Sequence, residues 1–214
     1  MAGTKFGHGR RPWDEGSNEV DPSRQGTPEP SAKAEPADEA LACKSLAGDV
    51  AAFETLARRF QGRLFTFALR MIGDVQEAED LTQETLLRAF ESLDRFDQGL
   101  PFAPWVFGIA AHVCRDWLRR QGRRRESPSE AVEQAHTAAT PREEAGANEE
   151  RERVLRAVRR LPRKYREVIV LHYLEEMGYD EVAASLGIRP EAARRRALRA
   201  RQMLRGYLGG GESA

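Results

Sequence analysis

Five arginines within eight residues, Arg194, Arg195, Arg196, Arg199 and Arg201, are the side chains of this 214-residue sequence whose type and spacing could do chemistry. That chemistry is recognition of a polyanion. A guanidinium is permanently charged, neutralises a phosphate, and presents a planar fork that matches the O6 and N7 edge of guanine in the major groove. No lysine interrupts the run, and no acid follows any of the five at four residues on the same helix to turn it into an ordinary solvated charge ladder. Residues able to act as a catalytic centre are missing from the sequence pattern: there is no G-x-x-x-x-G-K, H-E-x-x-H, C-x-x-C or G-x-S-x-G. A non-enzymatic protein with no cofactor, no metal and no small-molecule substrate is therefore expected.

The arginines need a helix to line them up, and the sequence around them supplies one. Ala193, Ala197, Ala200 and Leu204 recur at helical spacing and form a narrow apolar stripe along that segment. Pro190 suits its first turn, where a missing N–H has no partner to lose, and Glu191 follows where the helix dipole favours an acid. Upstream, Ala183 precedes Gly187 by four residues, so a small side chain lies where two helices cross and a glycine ends the first of them. Val182, Leu186 and Ile188 form the apolar wedge. Together these features predict a helix-turn-helix unit.

Charge is neutral overall, with 34 basic and 34 acidic residues, but it is unevenly spread. Residues Arg151 to Leu208 carry 15 Arg and Lys against 7 Asp and Glu, whereas Glu126 to Glu150 hold one base and seven acids. The basic field belongs to the helix-turn-helix unit, as a DNA-docking face requires.

The remaining punctuation predicts an all-α protein of two small helical domains: a disordered tail over 1–37, a helical domain over 38–122, a flexible acidic linker over 123–148, the helix-turn-helix domain over 149–208 and a disordered end over 209–214. In the first domain Phe53, Leu56, Ala57, Phe60, Leu64, Phe67, Ala68 and Met71 mark the buried stripe of one long helix closed by Gly73. Asp74 caps the next helix, with Ala78, Leu81, Leu86, Ala89, Phe90 and Leu93 expected inward and Glu77, Glu79, Asp80, Gln83, Glu84 and Arg88 outward. A third helix carries Trp105, Val106, Ile109, Val113 and Trp117 and ends in LRRQGRRR. Cys43 and Cys114 are too few and too far apart for a disulfide framework or a zinc site and are expected to be small buried hydrophobes. The lack of a signal peptide or membrane span predicts a soluble, cytoplasmic protein with no membrane insertion.

The order AEDLTQETLLRAFESLDRF, FAPWVFGIAAH, DWLRRQGRRR and LPRKYREVIVLHYLEEMGYDEVAASLGI resembles the extracytoplasmic-function (ECF) sigma factors, the two-domain branch of the bacterial sigma-70 family. The resemblance implies an alternative, stress- or envelope-responsive sigma factor that binds core RNA polymerase and directs promoter-specific transcription initiation. It implies contact with the coiled coil of the largest polymerase subunit through Asp80, Gln83, Glu84 and Arg88, with the polymerase flap as a further partner. Promoter DNA would be held at the minus-ten element by Arg115, Arg119, Arg120, Arg123, Arg124 and Arg125, and at the minus-thirty-five element by Arg194, Arg195, Arg196, Leu198, Arg199 and Arg201. An anti-sigma factor is the usual further partner. Ala103, Gly108 and Ala111 stand where the family commonly has arginines, so no contact is carried over to them. Two other classes fit the residues alone, a helix-turn-helix transcriptional regulator and a polymerase-binding adaptor without initiation activity.

Overall fold

The computed structural model describes residues 37–126 and 145–209, with side chains over 37–123 and 150–209. The expected tail over 1–37, all but its last residue, most of the linker and most of the C-terminal end lie outside the described residues. Among the described residues eight α-helices follow in chain order: α1 (Asp38–Leu46), α2 (Val50–Ile72), α3 (Val75–Glu91), α4 (Phe102–Glu126), α5 (Ala145–Arg160), α6 (Arg163–Tyr173), α7 (Tyr179–Leu186) and α8 (Pro190–Gly209), with a 3-10 turn at Leu93–Arg95. No strand occurs among the described residues.

Helix α2 is the spine of the first bundle. The Asp49 carboxylate accepts from the Ala52 N–H at 3.2 Å to start it, and Gly73 ends it with φ +87°, a left-handed backbone that only a residue without Cβ adopts cheaply. Every member of the expected stripe is buried except Ala57, which is half-buried. Phe60 meets Phe102 edge-on at 5.2 Å and Phe67 meets Phe107 at 5.7 Å, so α4 is locked to α2 by aromatic pairs. Each such ring removes apolar area worth about 2–3 kcal/mol from water.

Helix α1 was not anticipated as a separate element. It buries Leu41 and Ala42, ties Asp38 to Arg59 at 2.7 Å, and sends the Glu39 carboxylate to the backbone N–H of Phe102 at 3.0 Å. That contact caps the start of α4, whose own first turn has no acid. Pro104 sits in that first turn, where its missing N–H leaves no hydrogen bond unmade.

On α3, Asp74 caps as expected, accepting from the Glu77 N–H at 2.9 Å. The inward face is Ala78, Leu81, Thr82, Thr85 and Ala89. Both threonines are satisfied by bonding back to the carbonyls of Ala78 (2.7 Å) and Leu81 (2.6 Å). Phe90, expected inside, is 46% exposed, and Leu86 is only half-buried. Glu77, expected outside, is half-buried because its carboxylate accepts from the Trp117 indole N–H at 2.6 Å.

Cys114 is buried as expected, whereas Cys43 is half-buried with its thiol directed at Gln98 Oε1 (3.3 Å). Burial, and secondarily the negative charge of Glu167, push the Cys114 thiol up to about 12. The unfolded thiol ionises first on the alkaline side, so the stability this site contributes below the ordinary thiol value is lost as pH rises toward 12. At neutral pH, iodoacetamide is expected to label Cys43 while Cys114 reacts roughly a hundredfold or more slowly until the chain is unfolded. Peptide mapping by mass spectrometry checks this, and equal labelling of the two would contradict the packing around α4.

Candidate nucleic-acid and polymerase interfaces

In the second half of the chain, Gly187 adopts φ +63° and ψ +40° at the end of α7, and the Ile188 N–H returns to the Ala183 carbonyl at 3.0 Å. This is the glycine-terminated turn that the spacing predicts. Glu181 closes the start of α7 by accepting from the Gly178 N–H at 2.8 Å. Helix α8 then packs Ala193, Ala197, Ala200, Leu204 and Leu208 inward against α6 and α7.

That inward stripe decides which arginines point out. Arg194, Arg195, Leu198 and Arg199 form one exposed face, while Arg196 and Arg201 lie half-buried on its flanks. Arg194 approaches Asp180 at 3.7 Å and stands 5.8 Å from the Tyr179 ring, which itself stacks on His172 at 4.2 Å. Gln202 and Arg205 continue the exposed face one turn further, and Arg199 bonds Gln202 Oε1 at 3.2 Å. Neither was singled out from the sequence. Extending the helical spacing of Arg195 and Arg199 by three or four residues would have found them. The face can bind phosphates, fork to guanine, present Leu198 (46% exposed) to a thymine methyl and present Gln202 to adenine.

The acidic face of α3 has a similar logic. Asp80 and Gln83 are exposed, and Glu84 and Arg88 are half-buried and paired at 2.5 Å. Leu87, 57% exposed, and Phe90 extend the same side of the helix, so the charged row carries apolar area beside it. Sequence reading missed Leu87 and turned Phe90 inward. Exposed large apolar groups next to an acidic row mark a protein-docking surface better than charge alone.

On α4 the expected arginines separate. Arg119 is exposed and meets Asp116 at 2.9 Å, and Arg120 and Arg123 are exposed. Arg124 and Arg125 belong to the helix, but their side chains lie outside the described residues. Arg115 is held differently: its Nε and Nη2 donate to Glu167 Oε1 and Oε2 at 2.8 and 3.0 Å. Trp105 packs against Phe96 and Phe102 at 5.3 and 5.4 Å, and Trp117 is anchored to Glu77, which places both tryptophans in packing roles.

Arg166 organises the junction of α2, α5 and α6. Its guanidinium donates to the carbonyl oxygens of Met71 (2.6 Å), Leu161 (3.1 Å) and Arg159, the last two near the end of α5. Cations are favoured at helix C-termini. Burial, and then repulsion from Arg159, lower its pKa from the usual arginine value. Among the described residues no group of His, Cys, Asp and Glu could hold a metal ion, and no helix is long and apolar enough to cross a membrane.

The chain matches the family described as Sigma-70 region 2 over residues 56–124 and that described as Sigma-70, region 4 over residues 151–204. It is 35% identical over 182 residues to the ECF RNA polymerase sigma factor SigE of Mycolicibacterium smegmatis, covering 81% of this chain and 70% of that protein. It is 37% identical over 161 residues to the RNA polymerase sigma factor CarQ of Myxococcus xanthus, covering 74% and 90%. The solved structure of CnrH in complex with the cytosolic domain of CnrY superposes with a TM-score of 0.64 at 30% identity, over 83% of this chain and all of that one.

Proposed function

The chain belongs to the ECF RNA polymerase sigma factors, and from that premise we propose how its surfaces divide the work of promoter-specific initiation. As a sigma factor it binds core RNA polymerase and promoter DNA, acting in the cytoplasm. The exposed side of α3, with Asp80, Gln83 and Glu84 and the apolar Leu87 and Phe90, docks on the coiled coil of the largest polymerase subunit. Arg88 holds Glu84 in place on that row. The basic end of α4, with Arg119, Arg120, Arg123, Arg124 and Arg125 and with Arg115 once released from Glu167, grips the minus-ten element. The exposed face of α8 enters the major groove at the minus-thirty-five element, with Arg196 and Arg201 on its phosphate flanks.

The observation that carries this reading is the exposed arginine face of α8, set opposite a fully buried alanine stripe on the same helix. A helix whose inner side is reduced to alanines sits close to its neighbours and offers its whole outer side to DNA. Neither domain need bind tightly alone. Polymerase fixes both, so the docking of one raises the effective concentration of the other. An anti-sigma factor is the restraining partner, a reading supported by the likeness to CnrH, which was solved with the cytosolic domain of a second protein.

Run-off transcription with purified core enzyme tests the whole scheme. Transcripts starting at a defined promoter only when this chain is added are the expected result. Polymerase binding without initiation would instead make it an adaptor, and promoter binding without any polymerase contact would make it a helix-turn-helix regulator.

A further inference from the structure

Arginines gather at the C-terminal end of α2 without acids to match them. Arg166, from α6, is accounted for, because its two terminal nitrogens donate to the carbonyls of Met71, Arg159 and Leu161. Those bonds use acceptors that the ends of α2 and α5 offer to a cation. Arg159, from α5, lies across Gly73: a Cβ there would stand 3.3 Å from Arg159 Cδ and 3.4 Å from its Nη1. Arg70 belongs to the last turn of α2 itself, and Arg151 lies close enough on α5 to repel it.

Three of these guanidiniums lack a counter-charge. Among the described residues no acid stands within ion-pair distance of Arg70, Arg151 or Arg159. Asp74, beside Gly73, is engaged at the start of α3, where its carboxylate accepts from the Glu77 N–H at 2.9 Å. Burial, then the charges of Arg151 and Arg159, lower the pKa of Arg70 from the usual arginine value, and Glu152 offsets them only in part. The Nε atoms of Arg70 and Arg166 are buried and have no hydrogen-bond partner among the described residues. An orphaned donor on a charged group is costlier than a neutral one, and like charges held together add to that cost. An acceptor from outside the chain would relieve both.

The layout says what kind of acceptor fits. Guanidinium forks pair bidentately with phosphate oxygens. Arg151 and Arg159 stand eight residues apart, about 12 Å along the helix at 1.5 Å per residue, and Arg70 feels the charge of both. One phosphate is too small to engage that whole row, whereas two linked phosphates carry the charge and the spread of oxygens to do so. We propose that Arg70, Arg151 and Arg159, backed by Arg166, form a binding site for a small anion with two linked phosphates, supplied as free diphosphate or as the diphosphate of a nucleotide. None of these residues is among those assigned above to promoter DNA or polymerase.

Calorimetric titration and thermal melting of the full-length chain with inorganic diphosphate test the site. The parent for both is the Arg194→Ala/Arg195→Ala/Arg199→Ala variant, so that the exposed face of α8 does not supply the signal. Binding at one site is expected, with a melting temperature raised by roughly 5 °C at a hundredfold excess over Kd, and by less than about 1 °C in sodium chloride of equal ionic strength. Arg70→Met and Arg159→Met should each weaken diphosphate at least about tenfold. Without diphosphate both should melt no lower than the parent, since each removes a repelling charge; an arginine that merely packs would melt lower when replaced and leave the affinity unchanged. GDP and ADP distinguish the sources: binding tenfold tighter than diphosphate assigns the nucleotide, equal binding assigns the free anion, and both support the site. A shift no larger than that of salt, or undiminished binding by both folded methionine variants, would overturn it. So would a single-stranded oligonucleotide without terminal phosphates that outbinds diphosphate through the same arginines, which would make this a nucleic-acid contact. If Arg70→Met fails to fold, Arg159→Met decides alone.

Discussion

Replacing Asp80 and Glu84 together by arginine is expected to abolish promoter-directed run-off transcription and to weaken the affinity for core polymerase by at least about a hundredfold. Close charge pairs across an interface couple by about 1.5–7 kcal/mol, so turning two attractive groups into repulsive ones removes at least about 3 kcal/mol, which is a factor above 100. The fold should survive. Asp80 is exposed, and the ion pair broken among the described residues is the half-exposed one of Glu84 with Arg88 one turn away, worth up to about 0.5 kcal/mol. Leu87→Ala separates charge from shape on the same face. It leaves every charge in place, deletes a side chain that is 57% exposed in the free chain, and should lower core affinity about tenfold if Leu87 sits in the desolvated centre of the contact. Fluorescence anisotropy with labelled chain measures both. Full transcription from the double reversal would move the polymerase grip off α3.

How far α3 was legible from sequence depended on what marked its faces. The inward row of α2 is built from Phe, Leu and Met at helical spacing, so hydrophobicity and geometry point the same way. On α3 they part. The inward row passes through Thr82 and Thr85, which hide their hydroxyls by bonding to their own helix, while Leu87 and Phe90 face out. A reading by hydrophobicity rotates the helix there and buries the surface that a partner would use. On α8 the alanine stripe gave the correct face, and only its C-terminal extension to Gln202 was missed. The pairing of α2 and α4 with the second half of the chain had no sequence signal at all. It joins residues 52 and 112 positions apart, Arg115 with Glu167 and Arg63 with Glu175, and no local periodicity encodes such a pairing. Gly108 was visible only as a departure from family pattern, and the reason for a glycine there came with the backbone oxygen of Ser185, 3.0 Å from where a Cβ would lie. Arg115 was assigned to DNA by charge. Its partner Glu167 could be found only in three dimensions.

Stripping Arg194, Arg195 and Arg199 to alanine should reduce binding of the minus-thirty-five element by about a thousandfold at physiological salt, and the salt dependence should say why. If all three bind phosphate, the slope of log affinity against log salt falls in magnitude by about 0.9 for each, and every sequence is weakened alike. If one forks to guanine, its single replacement leaves more of the slope intact and relaxes preference at one base pair by about 1–3 kcal/mol. The exposed row favours a mixture. Arg194, with Asp180 and the Tyr179 ring beside it near the start of the helix, is placed for the backbone, while Arg195 and Arg199, one turn apart and flanking Leu198, are placed for base edges. Leu198→Ala should then weaken preference for one thymine without changing the salt slope, because it carries no charge. None of these changes opens the core of the domain, whose stripe of Ala193, Ala197 and Ala200 lies on the opposite side of the helix. Selection from a random duplex pool is the decisive readout: a guanine beside a thymine is expected in the motif, and an A/T-only motif would confine all three arginines to the phosphates.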